Sequence, residues 1–204
     1  MKVKKHENLV KVLETWGGDK MIEYSAALTR DNSTMRNPES GIKSMWKRGH
    51  TGPFETSGAT IEITAPKFTF YQWHRHRTQS YNEVSLRVVP IEGYDENNFW
   101  FPEKTVNINA YEDAYKCAVN IYMGLVRNGE PLEQARAVLP DGIMKRMIAT
   151  ANLVNWFRFL DKRTHPSAQA DIRAYAFLIK DLLKKEFPIA VAAWEGANKN
   201  KEMV

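Results

Sequence analysis

The amino-acid sequence predicts an α+β fold, with strands in its first half and long helices in its second. Two patterns carry this expectation. Ala59, Ile61, Ile63 and Ala65 alternate with Thr60, Glu62 and Thr64, and a period of two turns one face of a strand to a core and the other to solvent. Beyond residue 110 the apolar residues instead recur with the helical period, as on an amphipathic helix.

Residues 30–41 and 90–104 read as loops, the first polar and turn-rich, the second carrying Pro90, Gly93, Pro102 and an Asn-Asn pair. Pro66 offers a helix start, and residues 67–78 read as a helix with Phe68, Tyr71 and Arg75 aligned. Val84–Val89 has strand character. Tyr111, Ala114, Tyr115, Ala118, Val119, Tyr122 and Leu125 predict a helix over 111–127, ended by Gly129. Pro131 opens a short helix through Val138 that Pro140 stops. A longer helix is expected over about 142–161. Another is expected from Pro166 to Glu186, with Ala168, Ile172, Tyr175, Ala176, Ile179, Leu182 and Leu183 on one face and Pro188 just beyond its end.

The composition bounds the function class. With 204 residues, 43% hydrophobic and 26% charged, the chain reads as an ordinary soluble globular protein. No apolar run approaches the roughly 20 residues of a membrane helix, and the charged N-terminus lacks the apolar stretch of a signal peptide, so a cytoplasmic location without membrane partners is expected. The single cysteine, Cys117, excludes an internal disulfide and a multi-thiolate zinc site. Lying inside the periodic 111–127 segment, it is expected to pack. A net charge of +5 fits an anionic partner, nucleic acid or phosphorylated small molecule, or simply a solvated surface.

The segment Arg75-His76-Arg77-Thr78-Gln79-Ser80-Tyr81-Asn82-Glu83-Val84-Ser85-Leu86-Arg87 concentrates three arginines, a histidine, two serines, an asparagine and a glutamate. Arginine forks suit phosphate oxygens, serine hydroxyls add neutral donors, and Asn82 can read an amide-like ring edge. Glu83 can orient an arginine or accept from a ring or ribose group. Composition alone leaves two other readings open: a solvated basic turn, or a nucleic-acid face with Tyr71, Trp73 and Tyr81 as stacking platforms.

The order of residues goes further. Arg-His-Arg, then Ser80, Asn82-Glu83, Ser85 and Arg87, resembles the signature of flavin-dependent thymidylate synthases at every fixed position. Gly49-His50-Thr51-Gly52-Pro53-Phe54-Glu55, Gln72-Trp73, Phe99-Trp100-Phe101-Pro102 and Arg136 with Leu139-Pro140 resemble other segments of that family. Asn152, Arg163 and Ala168-Gln169 keep its spacing, and Gly17-Gly18-Asp19 followed by Ile22–Thr29 looks like its opening strand. The likeness covers about residues 16–195.

The resemblance implies one domain over residues 1–204 with a central, mostly antiparallel sheet flanked by helices. It implies a homotetramer with sites at subunit interfaces. That enzyme would make dTMP from dUMP, with FAD as hydride carrier and NADPH and methylene-tetrahydrofolate as cosubstrates. Gln72, Arg75, Glu83, Ser85, Leu86, Arg87, Arg136 and Arg163 would bind dUMP, Arg75 from a neighbouring subunit. Arg163, Ser85 and Glu83 would be the catalytic set, Ser85 as a hydrogen-bond donor. Thr29, His50, Glu55, Arg75, His76, Arg77, Asn82, Glu83, Asn152 and Arg158 would face FAD or folate. No metal is implied.

Five positions depart from the family pattern: Thr56, His74, Val88, Arg158 and Ser167. They leave open a related activity, such as hydroxymethylation of a pyrimidine nucleotide at the same ring carbon. His165 is a candidate to replace the histidine expected at Ser167.

Overall fold

The computed structural model describes residues 9–29 and 37–199. In chain order its elements are β1 (Val10–Trp16), α1 (Asp19–Leu28), α2 (Pro38–Lys47), a 3-10 turn at Gly52–Thr56, β2 (Gly58–Pro66), α3 (Lys67–Trp73), β3 (Ser80–Glu83), α4 (Ile108–Arg127), α5 (Leu132–Ala135), β4 (Met144–Asn152), α6 (Leu153–Arg163), α7 (Ala170–Glu186) and α8 (Pro188–Lys199). The expected α+β class holds: the strands form one antiparallel sheet in the order β1-β2-β4-β3. On β2 the expected alternation is present, with Ala59, Ile61, Ile63 and Ala65 buried. Thr60 and Thr150 join β2 to β4 through their hydroxyls, 3.1 Å apart.

The chain divides into two compact units. One is built mainly from Ile63–Arg75 and Tyr81–Ile148. Its core gathers Leu86, Phe99, Tyr115, Val119, Tyr122, Ala135, Leu139 and Ile143, and the Tyr115 hydroxyl donates to the Trp100 carbonyl at 2.8 Å. The other is built mainly from Val10–Glu62, His76–Ser80 and Ala149–Val204. There α2 packs on α8, α8 on α7 and α7 on α6, with Trp46 edge-on to both Phe54 and Phe157 at 5.0 Å. The Trp156 indole ties α6 to β2 by donating to the Ala59 carbonyl at 3.0 Å.

Several expectations are corrected. Ile22–Thr29 is not the opening strand; Val10–Trp16 is. Gly17 and Gly18 turn the chain at φ 79° and 87°, a region open to glycine, and α1 follows with Ile22 and Ala26 buried one turn apart. Residues 38–41 are not loop: Asn37 accepts from the Ser40 amide at 3.0 Å and starts α2, while 30–36 lie outside the described residues. The helix expected over 67–78 stops at Trp73. Val84–Val89 is a turn, because the Val88 and Val89 amides both donate to the Ser85 carbonyl at 3.0 Å.

The largest correction concerns residues 142–161. They form β4 and then α6. Lys145, Met147, Ala149 and Ala151 are buried in alternation, so strand pairing overrides the helix propensity of methionine, alanine, lysine and arginine. Asn152 marks the switch by accepting from the Asn155 amide at 3.0 Å, an N-cap for α6. Pro188 both ends α7 and opens α8, a helix the sequence did not announce. Asp19 caps that helix, accepting from the Ile189 and Ala190 amides at 2.9 and 3.0 Å. Cys117 does not pack: on α4 the buried residues are Tyr115, Val119 and Tyr122, and Cys117 is exposed.

Candidate functional site

In the unit that holds β3 and α4, the end of the signature is fixed by β4. The Val84 amide donates to the Arg146 carbonyl at 3.0 Å, which sets β3 in register. Glu83 then meets the Lys145 ammonium at 3.2 Å. Just after the strand, the Ser85 hydroxyl oxygen accepts from the Arg87 amide at 3.3 Å and from Arg87 Nε at 3.4 Å. Ser85 and Arg87 are thus held together. Arg136, on the 3-10 turn Arg136–Val138, is exposed and donates through Nε to the Glu133 carbonyl at 3.1 Å. Arg75 and Asn82 are exposed and Gln72 is half-buried.

Leu86 differs from its neighbours. It is 7% exposed and packs in the core with Phe99 and Leu139, so its side chain serves the core. Trp73 is fully buried and its carbonyl accepts from the Tyr81 hydroxyl at 3.0 Å. A stacking role for Trp73 is therefore corrected to a packing role.

In the other unit, two groups stand out. The first is a cavity of about 610 Å³ lined by Ala26, Thr29, Met45, Arg48, His50 and Pro53. The left-handed turn at Gly49, φ 77°, lets the His50 amide return to the Met45 carbonyl at 2.9 Å, which brings the end of α2 round to the Pro53 turn. Thr29 and His50, both read from the sequence, share this wall; Arg48 joins them and was not anticipated. Glu55 is exposed on the turn that follows and does not line the cavity.

The second group joins the signature to α6. Arg163 Nε donates to His76 Nε2 at 2.9 Å, and the His76 ring lies edge-on to Phe159 at 4.9 Å. Burial, then the charges of Arg163 and Lys162, hold the imidazole down at about 4. His76 is therefore neutral near pH 7, with Nε2 as an acceptor. Arg77 is exposed beside it. Farther up α6, Arg158 donates to the Asn155 side chain at 3.1 Å, next to the capping Asn152.

The family model described as thymidylate synthase complementing protein matches residues 11–189. The chain belongs to the flavin-dependent thymidylate synthase family. Among relatives in that family, the flavin-dependent thymidylate synthase of Thermus thermophilus is 32% identical over 206 residues, covering 93% of this chain and 76% of its own. That of Thermotoga neapolitana is 29% identical over 196 residues, covering 89% and 88%. The fold is similar to the crystal structure of the UMP/dUMP methylase PolB from Streptomyces cacaoi bound with 5-Br dUMP, with a TM-score of 0.79, 22% identity, and 92% and 94% of the two chains covered.

The departures from the family pattern have local partners of their own. Thr56 donates to the Pro53 carbonyl at 2.7 Å. Ser167 and His165 are paired, hydroxyl to Nδ1, at 2.7 Å. His74 lies 5.2 Å from the Tyr81 ring, and Val88 is 74% exposed.

Proposed function

We propose that this chain is an enzyme, a flavin-dependent thymidylate synthase that converts dUMP to dTMP. Its cosubstrates are methylene-tetrahydrofolate as carbon donor and NADPH as reductant. It works as a cytoplasmic homotetramer with one thymidylate synthase domain in each subunit, and with no nucleic-acid or membrane partner. The observation that carries the reading is family membership together with a signature complete from Arg75 to Arg87. Among the described residues no helix is long and apolar enough to cross a membrane.

The donor chemistry fits a flavin dinucleotide. A cavity with apolar walls at Ala26, Met45 and Pro53 and donors at Thr29, Arg48 and His50 suits a mixed aromatic and anionic ligand. Thr29, His50, Glu55, Arg75, His76, Arg77, Asn82, Glu83, Asn152 and Arg158 would hold the cofactor or folate. When bound, FAD supplies the hydride that completes the methyl group. The chain's own work is binding and orientation. Arg75, Arg87, Arg136 and Arg163 offer fixed cations for a dianionic phosphate and for charge developing on the pyrimidine carbonyls. Gln72 and Ser85 add neutral hydrogen bonds, Leu86 a main-chain contact, and Glu83 an acceptor for ribose or ring. Arg163, Ser85 and Glu83 form the set at the reacting nucleotide. Neutral His76 accepts from Arg163 without adding a charge of its own beside the guanidinium. No protein thiol is assigned a part, since Cys117 lies on the outer face of α4.

The test is direct. Purified protein is mixed with FAD, NADPH, methylene-tetrahydrofolate and dUMP, and the nucleotide product is weighed by mass spectrometry. The expected result is a yellow protein and dTMP. A hydroxymethylated nucleotide would redirect the reading to another C5 modification, and absence of both flavin binding and product would overturn it.

A further inference from the structure

Lys145 stands where the strand pattern calls for an apolar residue. On β4 the buried series is Lys145, Met147, Ala149 and Ala151, and the lysine side chain is only 8% exposed. An ammonium withdrawn from water is costly unless an opposite charge answers it. Among the described residues its anionic partner is Glu83, 3.2 Å away, whose own side chain is 35% exposed. The pair is lopsided: the cation is sunk into the protein and the carboxylate reaches the surface. Such an arrangement fixes an acceptor, because the buried end cannot wander and the exposed end keeps lone pairs for something else. The β3 register, set by the Val84 amide on the Arg146 carbonyl, delivers Glu83 to that point two residues before the Ser85–Arg87 pair.

We propose that Lys145 is a positioning residue for nucleotide binding: its buried ammonium holds the Glu83 carboxylate in the one orientation in which it accepts from the bound pyrimidine nucleotide. The inference rests on the reading of Glu83 as a dUMP contact. It differs from a purely structural ion pair, which would hold β3 on β4 and leave ligand affinity alone.

Isothermal titration with dUMP, run on the flavin-loaded enzyme, separates the two. The variants are Lys145→Met, Lys145→Gln, Glu83→Gln and the Lys145→Met/Glu83→Gln double. Lys145→Met removes the buried charge without opening a cavity and leaves Glu83 hydrated, so the fold should survive. Lys145→Gln keeps a neutral donor for Glu83 and is the second route should the first variant not fold. The expected result is dUMP affinity weakened about tenfold in Lys145→Met, as for loss of a charge-assisted contact. Lys145→Gln should recover part of it, and the double variant should bind no worse than Glu83→Gln alone. Losses that multiply in the double variant would overturn the proposal, as would wild-type affinity in a folded Lys145→Met protein. If wild-type enzyme itself fails to bind dUMP, the substrate reading falls and takes this inference with it. Wild-type binding that Lys145→Met leaves unchanged removes only the inference.

Discussion

At His76, burial and the flanking cations Arg163 and Lys162 act in one direction, each disfavouring the imidazolium. The folded protein therefore binds this proton more weakly than the unfolded chain, whose imidazole titrates at its ordinary 6.5. The resulting contribution to stability is complete above pH 6.5 and is lost as the pH falls towards about 4. An NMR titration of the His76 ring should give a midpoint near 4 in the wild type. Arg163→Ala should move it up, towards but not up to the ordinary value, since burial remains; an unchanged midpoint would contradict the assigned cause. The same variant should weaken dUMP far more than FAD, and equal losses in separate titrations would argue against its assignment to the nucleotide. For the Glu83–Lys145 pair the asymmetry of exposure predicts asymmetric damage. Glu83→Gln strands a buried ammonium and should cost about 2 kcal/mol or more, whereas Lys145→Met should be nearly neutral in chemical denaturation. The sequence displayed Glu83 but hid Lys145: a lone lysine sixty-two positions away carries no mark of burial until strand pairing brings it in.

The elements show where sequence reading succeeds and why it fails. β2 was readable because its β-branched residues and its alternation agree. β4 has the same alternation, but its methionine, alanine and lysine residues favour a helix when the neighbouring strands are unknown. α8 was invisible because the proline that should end one helix also begins the next, and because its cap comes from Asp19, far away in sequence. That cap gives a prediction. Asp19→Ala leaves two amides of α8 without their carboxylate and should lower stability by about 1–2 kcal/mol, some 2–8 °C in melting temperature. Asn152→Ala removes the α6 cap and should cost about 1 kcal/mol. Since Asn152 is also assigned to the cofactor, its variant should lose flavin affinity as well, while Asp19→Ala should keep it. Thermal melts alongside flavin absorbance distinguish the two.

For the molecule as a whole, the fold class and the family were legible because a thirteen-residue signature and several ordered segments outweigh any misplaced element. The proposed assembly rests on the family likeness alone. Apolar side chains do stand open on the chain surface, among them Met21, Tyr24 and Leu28 on α1 and Phe177 and Leu178 on α7. Such side chains are candidates for the subunit contacts of the proposed homotetramer. Light scattering after size exclusion should give four times the 23.5 kDa chain mass, and a monomeric active enzyme would contradict sites shared between subunits. A nucleic-acid module would instead show oligonucleotide affinity that falls steeply with salt; the burial of Trp73 speaks against that behaviour.

The thiol on α4 offers a way to watch that assembly. Cys117 is the chain's only cysteine and it faces outwards, so a maleimide dye should attach once per chain without any engineering. A fully labelled particle on a cover slip would then report its subunit number by the count of its bleaching steps.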